Sequence, residues 1–137
     1  MREQLIFDTS VWVDFLRDKS TPSTDLLTGY IEQNDQVLLV PTVLQEVLQG
    51  IREDKQYNHI KDIFSYFTIL QVSPAHAAIG AAELYRSLRK KGLTIRKSND
   101  CLIAFYAIEF STVLVHADKD FDIIAEHSKL KIWHGGS

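Results

Sequence analysis

The feature that most constrains the fold is an alternation of short apolar runs with longer segments of helical spacing. Residues 37–40 form a continuous apolar run that Pro41 ends, which is typical of a strand buried on both faces. Similar runs lie at residues 5–7, 69–72, 112–115 and 129–133. Strands that alternate with helices favour a parallel sheet. The sequence therefore predicts an α/β three-layer sandwich with four to five central parallel strands flanked by helices.

Two of the predicted helices have informative ends. Ser73 and Pro74 supply a capping hydroxyl and a proline at the first helical position, and Gly92 is expected to end the same helix. The helix from residue 100 to about residue 110 is apolar on nearly every side, so we expect it to be central and buried. Ser98 or Asn99 is the expected N-cap of this second helix.

Length and composition indicate one ordinary domain. The chain has 137 residues, 45% of them hydrophobic and 24% charged, without a visible linker or repeat, so we treat residues 1–137 as a single domain. Its one cysteine, Cys101, excludes a disulfide framework and is interpreted as a buried, unreactive thiol. No apolar stretch approaches the ~20 residues of a membrane span, and no signal-peptide pattern is present. A cytoplasmic protein is expected.

Acidic side chains follow several of the predicted strands. In an open parallel sheet, ligands bind beyond the carboxyl ends of the strands. Each acid alone has an ordinary interpretation: Asp8 as a cap, Asp118 and Asp120 as a turn, Asp100 as a complement to the helix dipole and Glu46 as a solvent-facing helix residue. Thr9 or Ser10 could, however, cap the first helix in place of Asp8. The hypothesis rests on convergence, because separate segments bring these acids to one edge: Asp8, Glu46, Asp100, and Asp118 with Asp120.

Clustered carboxylates repel one another unless a cation joins them. Mg²⁺ and Mn²⁺ prefer oxygen ligands, and such a cation can activate water for attack on phosphorus. The five histidines lack a zinc-binding spacing. A G-x-S-x-G nucleophile motif and a glycine-rich phosphate loop are also absent from the sequence. The acids therefore predict metal-dependent phosphodiester hydrolysis.

The distribution of basic residues qualifies the net charge of −3, which alone argues against nucleic-acid binding. The stretch from residue 86 to residue 97 contains no acid. It is interpreted either as a solvated helix end or as a surface that binds RNA phosphates. Its cations are Arg86, Arg89, Lys90, Lys91, Arg96 and Lys97.

Four ordered motifs resemble the PIN-domain family, and in particular the VapC-type toxins of bacterial toxin–antitoxin pairs. They lie at residues 7–17 (FDTSVWVDFLR), 45–46 (QE), 98–100 (SND) and 117–121 (ADKDF). The resemblance covers nearly the whole chain. It implies a PIN fold, an Mg²⁺- or Mn²⁺-dependent endoribonuclease, a homodimer, and neutralisation by a small VapB-like antitoxin.

By motif position, the resemblance makes Asp8 and Asp100 the principal metal ligands. Glu46 would complete the site directly or through water. The fourth acid is Asp118 or Asp120, and Asp118 is favoured because it matches the loop position that reaches the site, whereas Asp120 would begin the next helix.

The resemblance also assigns supporting roles, with Thr9 or Ser10 and Asn99 orienting the carboxylates and water. Three other functions stay open. The protein could be a free-standing RNA-processing nuclease or a non-catalytic PIN-like binding module. It could also be a phosphatase-like enzyme with Asp8 as nucleophile, although a second acid two residues later is lacking.

Overall fold

The computed structural model describes residues 2–135 and places a parallel sheet at the centre of the molecule. Its strand order is β3-β2-β1-β4, and each neighbouring pair is parallel. The predicted α/β architecture is confirmed. The strands are β1 (Leu5–Phe7), β2 (Val37–Leu39), β3 (Thr68–Ile69) and β4 (Val113–Val115).

Seven helices flank the sheet within the described residues. No helix among residues 2–135 is both long and apolar enough to cross a membrane. The helices are α1 (Thr9–Leu16), α2 (Pro22–Glu32), α3 (Pro41–Gly50), α4 (Asp54–Phe64), α5 (Pro74–Lys90), α6 (Ser98–Glu109) and α7 (Lys119–Glu126).

The β2–α3 junction shows how the sequence sets the local structure. All three residues of β2 are buried, and Pro41 is the first residue of α3. Proline suits this place because the first helical N–H has no partner within the helix. The junction brings α3, which carries Glu46, to the carboxyl end of the sheet.

Helix α6 is buried along most of its length, as the sequence predicts. It packs against α5, α7, α3 and β4. Close approach to α5 depends on Gly80, because a Cβ atom there would lie 2.2 Å from Cε1 of Phe105. Cys101 is buried in this helix, and burial raises the pKa of its thiol to about 11. This agrees with an unreactive thiol.

The helix ends are partly as predicted. At the end of α5, Gly92 has φ +80°, and the Leu93 N–H donates to the Leu88 carbonyl at 3.0 Å. This is the glycine-terminated ending expected there. The prediction for α6 is wrong, because Lys97 occupies the N-cap position and makes no side-chain capping bond. Ser98 is the first residue of the helix.

Two predicted strands differ from the structure. The third covers Thr68–Ile69 rather than residues 69–72. The fifth, at 129–133, is reduced to a parallel bridge between Leu114 and Ile132. Alternate residues of a strand direct their backbone groups to the same edge. In the three-residue strand β4, only Leu114 directs both backbone groups to the edge away from β1. Its N–H donates to the Lys131 carbonyl at 2.9 Å, and its carbonyl accepts from the Trp133 N–H at 2.9 Å.

Candidate metal centre

Asp8 lies where β1 ends and α1 begins. Its backbone N–H donates to the Val115 carbonyl at 2.8 Å, which fixes it beside the end of β4. Its Oδ2 accepts hydrogen bonds from the Ser10 backbone N–H at 3.0 Å and the Ser10 hydroxyl at 2.6 Å. Asp8 is therefore itself the N-cap of α1, which corrects the expectation that Thr9 or Ser10 could replace it in this role.

Burial raises the pKa of Asp8, against the hydrogen bonds from Ser10, which lower it. The Ser10 hydroxyl also accepts a hydrogen bond from the Ala117 N–H at 3.0 Å. This one hydroxyl thus connects Asp8 with the loop that leads to Asp118. The hydroxyl is placed to orient the Asp8 carboxylate.

Asp100, Asp118 and Asp120 form a compact group. One carboxylate oxygen of each lies within 4.8 Å of the corresponding oxygens of the other two. Asp118 is the N-cap of α7 and accepts a hydrogen bond from the Asp120 N–H at 3.0 Å. The helix begins at Lys119, one residue before the predicted start. The sequence left Asp118 and Asp120 as alternatives for the fourth acid of the site. In the structure both belong to this group.

Asp100 has the largest pKa shift among the three acids of this group. This residue is only 5% exposed. Burial, followed by the charges of Asp8 and Asp118, raises its pKa from 3.8 to about 7. Its Oδ2 is buried and has no hydrogen-bond partner among the described residues. The usual means of stabilising such a carboxylate is a bound cation or a proton.

Asp120 has a similar buried oxygen. Its Oδ2 also lacks a hydrogen bond within the described part of the chain, and its nearest cationic atom is Arg96 Nε at 3.7 Å. Two buried oxygens without donors, together with an all-carboxylate set, fit a hard divalent cation that takes oxygen ligands. Asp8, Asp100, Asp118 and Asp120 are the residues that could hold it.

Lys97 neutralises part of the group. Its Nζ donates to Asp118 Oδ2 at 3.3 Å. Burial alone would raise the pKa of Asp118, but the Asp120 N–H, Lys97 and Arg96 outweigh it and hold that pKa below its usual value. Asp118 is therefore an ionised carboxylate at neutral pH.

Glu46 reaches the same cleft from α3. Its Oε1 accepts a hydrogen bond from the Thr9 hydroxyl at 2.8 Å, and its Oε2 accepts one from the Asn99 amide at 3.4 Å. Its charge contributes to the raised pKa of Asp8. The Thr9 hydroxyl and the Asn99 amide are thus placed to orient the Glu46 carboxylate.

The predicted acids Asp8, Glu46, Asp100 and Asp118 line one cleft of about 370 Å³. Asp14 and Lys19 also line it and were not predicted. Asp14 follows Ser10 by four positions, so helical spacing could have placed it on the same face of α1. Lys19 lies in the loop after α1, where no periodic pattern applies.

The basic stretch divides into separate groups. Arg96 and Lys97 lie beside the acids. Arg86 and Arg89 line a second depression of about 370 Å³, which Ser98 also lines. Lys91 instead donates to the His127 carbonyl at 3.3 Å, at the end of α7. The six cations therefore do not form one uniform patch.

Comparison with known proteins gives the family of this chain. The sequence model of the PIN-domain family matches residues 5–127 of this chain. VapC ribonuclease Mb1587 of Mycobacterium bovis is 31% identical over 128 residues, which cover 93% of this chain and 96% of that protein. Ribonuclease VapC11 of Mycobacterium tuberculosis has the same identity and coverage.

Solved structures agree on the fold. VapBC2 from Rickettsia felis, bound to a DNA fragment from its promoter, matches with a TM-score of 0.73 and 22% identity over 96% of this chain and 98% of that one. DNA-bound VapBC from Salmonella typhimurium matches with a TM-score of 0.70 and 16% identity over 96% and 98% of the two chains. The chain belongs to the PIN-domain family and, within it, is a relative of the VapC ribonucleases.

Proposed function

We propose that this protein is a divalent-metal-dependent endoribonuclease that uses Mg²⁺ or Mn²⁺. One observation carries the proposal: acids from separate segments meet at one cleft, and Asp100 and Asp120 each keep a buried oxygen without a hydrogen bond. The relatives with 31% identity are ribonucleases by name, which supports RNA as the substrate.

Asp8 and Asp100 are the proposed principal ligands, with Asp118, Asp120 and Glu46 completing the site. A divalent cation would supply acidification of water and stabilisation of negative charge on the phosphate. The protein supplies orientation: Ser10 fixes Asp8, and Thr9 and Asn99 hold Glu46.

Basic residues provide the proposed path for RNA. Lys19 and Lys97 line the cleft, so a phosphate that enters it meets positive charge. The Arg86–Arg89 depression adjoins the start of α6, because Ser98 lines it and is the first residue of that helix. RNA could therefore extend from α5 across the start of α6 into the cleft.

The proposed biological role is that of a toxin in the cytoplasm, held inactive by a VapB-like antitoxin. The structural neighbours come from VapBC complexes. A short upstream reading frame that encodes a DNA-binding N-terminus would support this role, whereas its absence would favour free-standing RNA processing. We also propose a homodimer and expect α5 to contribute, because its Ile79 is 59% exposed.

The test is cleavage of a labelled structured RNA with Mg²⁺, with Mn²⁺ and with EDTA. We expect metal-dependent cutting, and we expect Asp8→Asn and Asp100→Asn to lower the rate at least ~100-fold, since each removes a ligand charge. Asn can still accept the capping hydrogen bond at position 8. Asp62→Asn on the exposed face of α4 makes the same chemical change away from the cleft and should cut normally.

The outcomes separate the alternatives. Metal binding without cleavage of any RNA would favour a non-catalytic binding module. Phosphorylation of Asp8 by a small phosphodonor would favour the phosphatase-like enzyme. Equal loss of activity in Asp62→Asn would mean that the Asp8 and Asp100 results do not report on the cleft.

A further inference from the structure

Lys97 occupies an unusual place between the helix that carries Asp100 and the acids of the cleft. Its backbone is the N-cap of α6, and its carbonyl accepts a hydrogen bond from the Asp100 N–H at 3.0 Å. The backbone of Lys97 is thus fixed by the helix. Its side chain lines the cleft, where its Nζ lies 3.3 Å from Asp118 Oδ2.

The carboxylates of the cleft act on the Lys97 ammonium, and Arg96 is the cation next to it in the sequence. Its pKa is raised, first by the hydrogen bond with Asp118, then by the charges of Asp118, Asp100 and Asp8. Among the described residues that line the cleft, Lys97 and Lys19 are the only cations. Lys97 is the one of these two with a hydrogen bond to a cleft carboxylate, so its ammonium partly neutralises the acidic group.

The contact between Lys97 and Asp118 is one that can open easily. The Lys97 side chain is 67% exposed and that of Asp118 is 12% exposed, so only the ammonium end of the pair is open to water. Among the described residues this ammonium makes one ion pair, to one oxygen, and an ammonium already in water loses little when such a contact opens. A lysine ammonium on a flexible stem can also move to a new partner without any change in the backbone.

We propose that the Lys97 ammonium is an exchangeable counter-cation, which a divalent metal displaces from Asp118 and which then binds a phosphate of the RNA. This inference rests on the metal site of the proposed function and adds a role to Lys97 within it. Metal binding releases the ammonium from its carboxylate, and RNA captures the released group. Metal and RNA therefore favour each other's binding, and the effect is reciprocal.

The first experiment is a calorimetric titration of Mn²⁺ into the full-length protein and its Lys97→Gln and Lys19→Gln variants. Loss of the competing ammonium should make Lys97→Gln bind Mn²⁺ about two- to fivefold more tightly, the effect expected for release of one ion pair whose ammonium is exposed. Lys19→Gln removes the same charge from the same cleft without breaking a carboxylate contact. It should change the affinity less than ~1.5-fold.

The second experiment observes the ammonium itself by NMR, with Mg²⁺ as a diamagnetic ligand. The Lys97 Nζ signal, assigned by its absence in Lys97→Gln, should move toward the position of a solvated lysine as Mg²⁺ saturates the protein. In a third measurement, Ca²⁺ replaces Mg²⁺ to slow cleavage, and anisotropy of a labelled RNA gives the affinity with and without metal. The gain due to metal should fall in Lys97→Gln and persist in Lys19→Gln.

The results distinguish this inference from the function on which it rests. If the unaltered protein binds no divalent cation, both are wrong. If the unaltered protein binds Mn²⁺ but Lys97→Gln binds it equally well or more weakly, Lys97 only holds Asp118 in position. The metal site is then supported, and the proposed displacement of the Lys97 ammonium is wrong. An Nζ signal that does not move at Mg²⁺ saturation overturns the exchange in the same way.

Discussion

Asp100 is buried beside other acids, and this position makes a contribution to the stability of the metal-free protein that depends on pH. Its pKa is raised from 3.8 to about 7, so the folded state favours the protonated carboxyl. A raised folded-state pKa gives stability that is complete below the unfolded value and is lost as pH rises through the folded value. The loss due to Asp100 should therefore fall between about pH 4 and pH 7.

We expect Asp100→Asn to be more stable than the unaltered protein at pH 8 in EDTA, by roughly 1–3 kcal/mol. The two should be similar near pH 4, where Asp100 is protonated. Urea unfolding across this pH range measures the difference. Mg²⁺ at pH 8 should stabilise the unaltered protein and have little effect on Asp100→Asn. A difference that stays constant with pH would contradict the raised pKa.

At the same scale, the sequence predicted the acids of the site better than their partners. Asp8, Asp100 and Asp118 follow or begin regular elements, so the rule for ligand sites in parallel sheets was sufficient to bring them to one cleft. The pairing of Lys97 with Asp118 joins residues 21 positions apart through two loops. No local pattern encodes such a contact, because it depends on the path of both loops.

At the scale of elements, the packing of α5 on α6 positions the helix that carries Asp100. A Cβ atom at Gly80 would lie 2.2 Å from Cε1 and 2.3 Å from Cδ1 of Phe105. Alanine at this position must displace the ring or separate the helices. We expect Gly80→Ala to lower the free energy of unfolding by about 1–3 kcal/mol, as overpacking usually does. Urea unfolding in EDTA provides the measurement.

Gly50 is the matched control for this substitution. It is also a helical glycine, at the end of α3, but a Cβ atom there meets nothing within 4 Å. Gly50→Ala should be neutral or stabilising by up to about 1 kcal/mol, because alanine favours the helix. If both substitutions destabilise the protein equally, the close approach of Phe105 is not the cause.

The elements themselves were largely predictable because their signals are local. A capping serine with a proline, and a terminal glycine, placed α5, nearly uniform apolar character placed α6, and continuous apolar runs placed the strands of the sheet. The fifth strand was not predictable in this way. Pairing at residues 129–133 depends on the number of free backbone groups at the outer edge of β4, and one bridge, between Leu114 and Ile132, forms there. The start of α6 was missed because Lys97 occupies the N-cap position without a side-chain capping bond, so no local capping signal marks the first residue of this helix.

At the scale of the whole molecule, the question is how a chain with a net charge of −3 would hold RNA. Five of the 18 acidic residues line the cleft, where a bound cation would offset part of their charge. The cations outside the cleft are separated by the fold, with Arg86 and Arg89 in the depression beside Ser98 and Lys91 directed to the end of α7. The structure thus favours the two arginines as the phosphate contacts over Lys90 and Lys91.

We expect the double substitution Arg86→Gln with Arg89→Gln to weaken RNA binding. Each phosphate contact on a single strand contributes about 0.7 to the slope of log affinity against log salt concentration, so the slope should fall by about 1.4. Anisotropy of a labelled RNA, measured with Ca²⁺ at several salt concentrations, gives both quantities. The affinity for Mn²⁺ should be unchanged, because neither arginine lines the cleft.

Lys90→Gln with Lys91→Gln is the control, since it removes the same charge from the adjacent positions. Lys91 is held at the His127 carbonyl, away from the depression, so this pair should alter the salt slope by much less than the arginine pair. Equal effects of the two double variants would show that RNA responds only to the summed charge of the helix end. The basic stretch would then be a solvated helix end rather than a specific RNA-binding surface. Lys19 and Lys97 would remain as the candidate phosphate contacts.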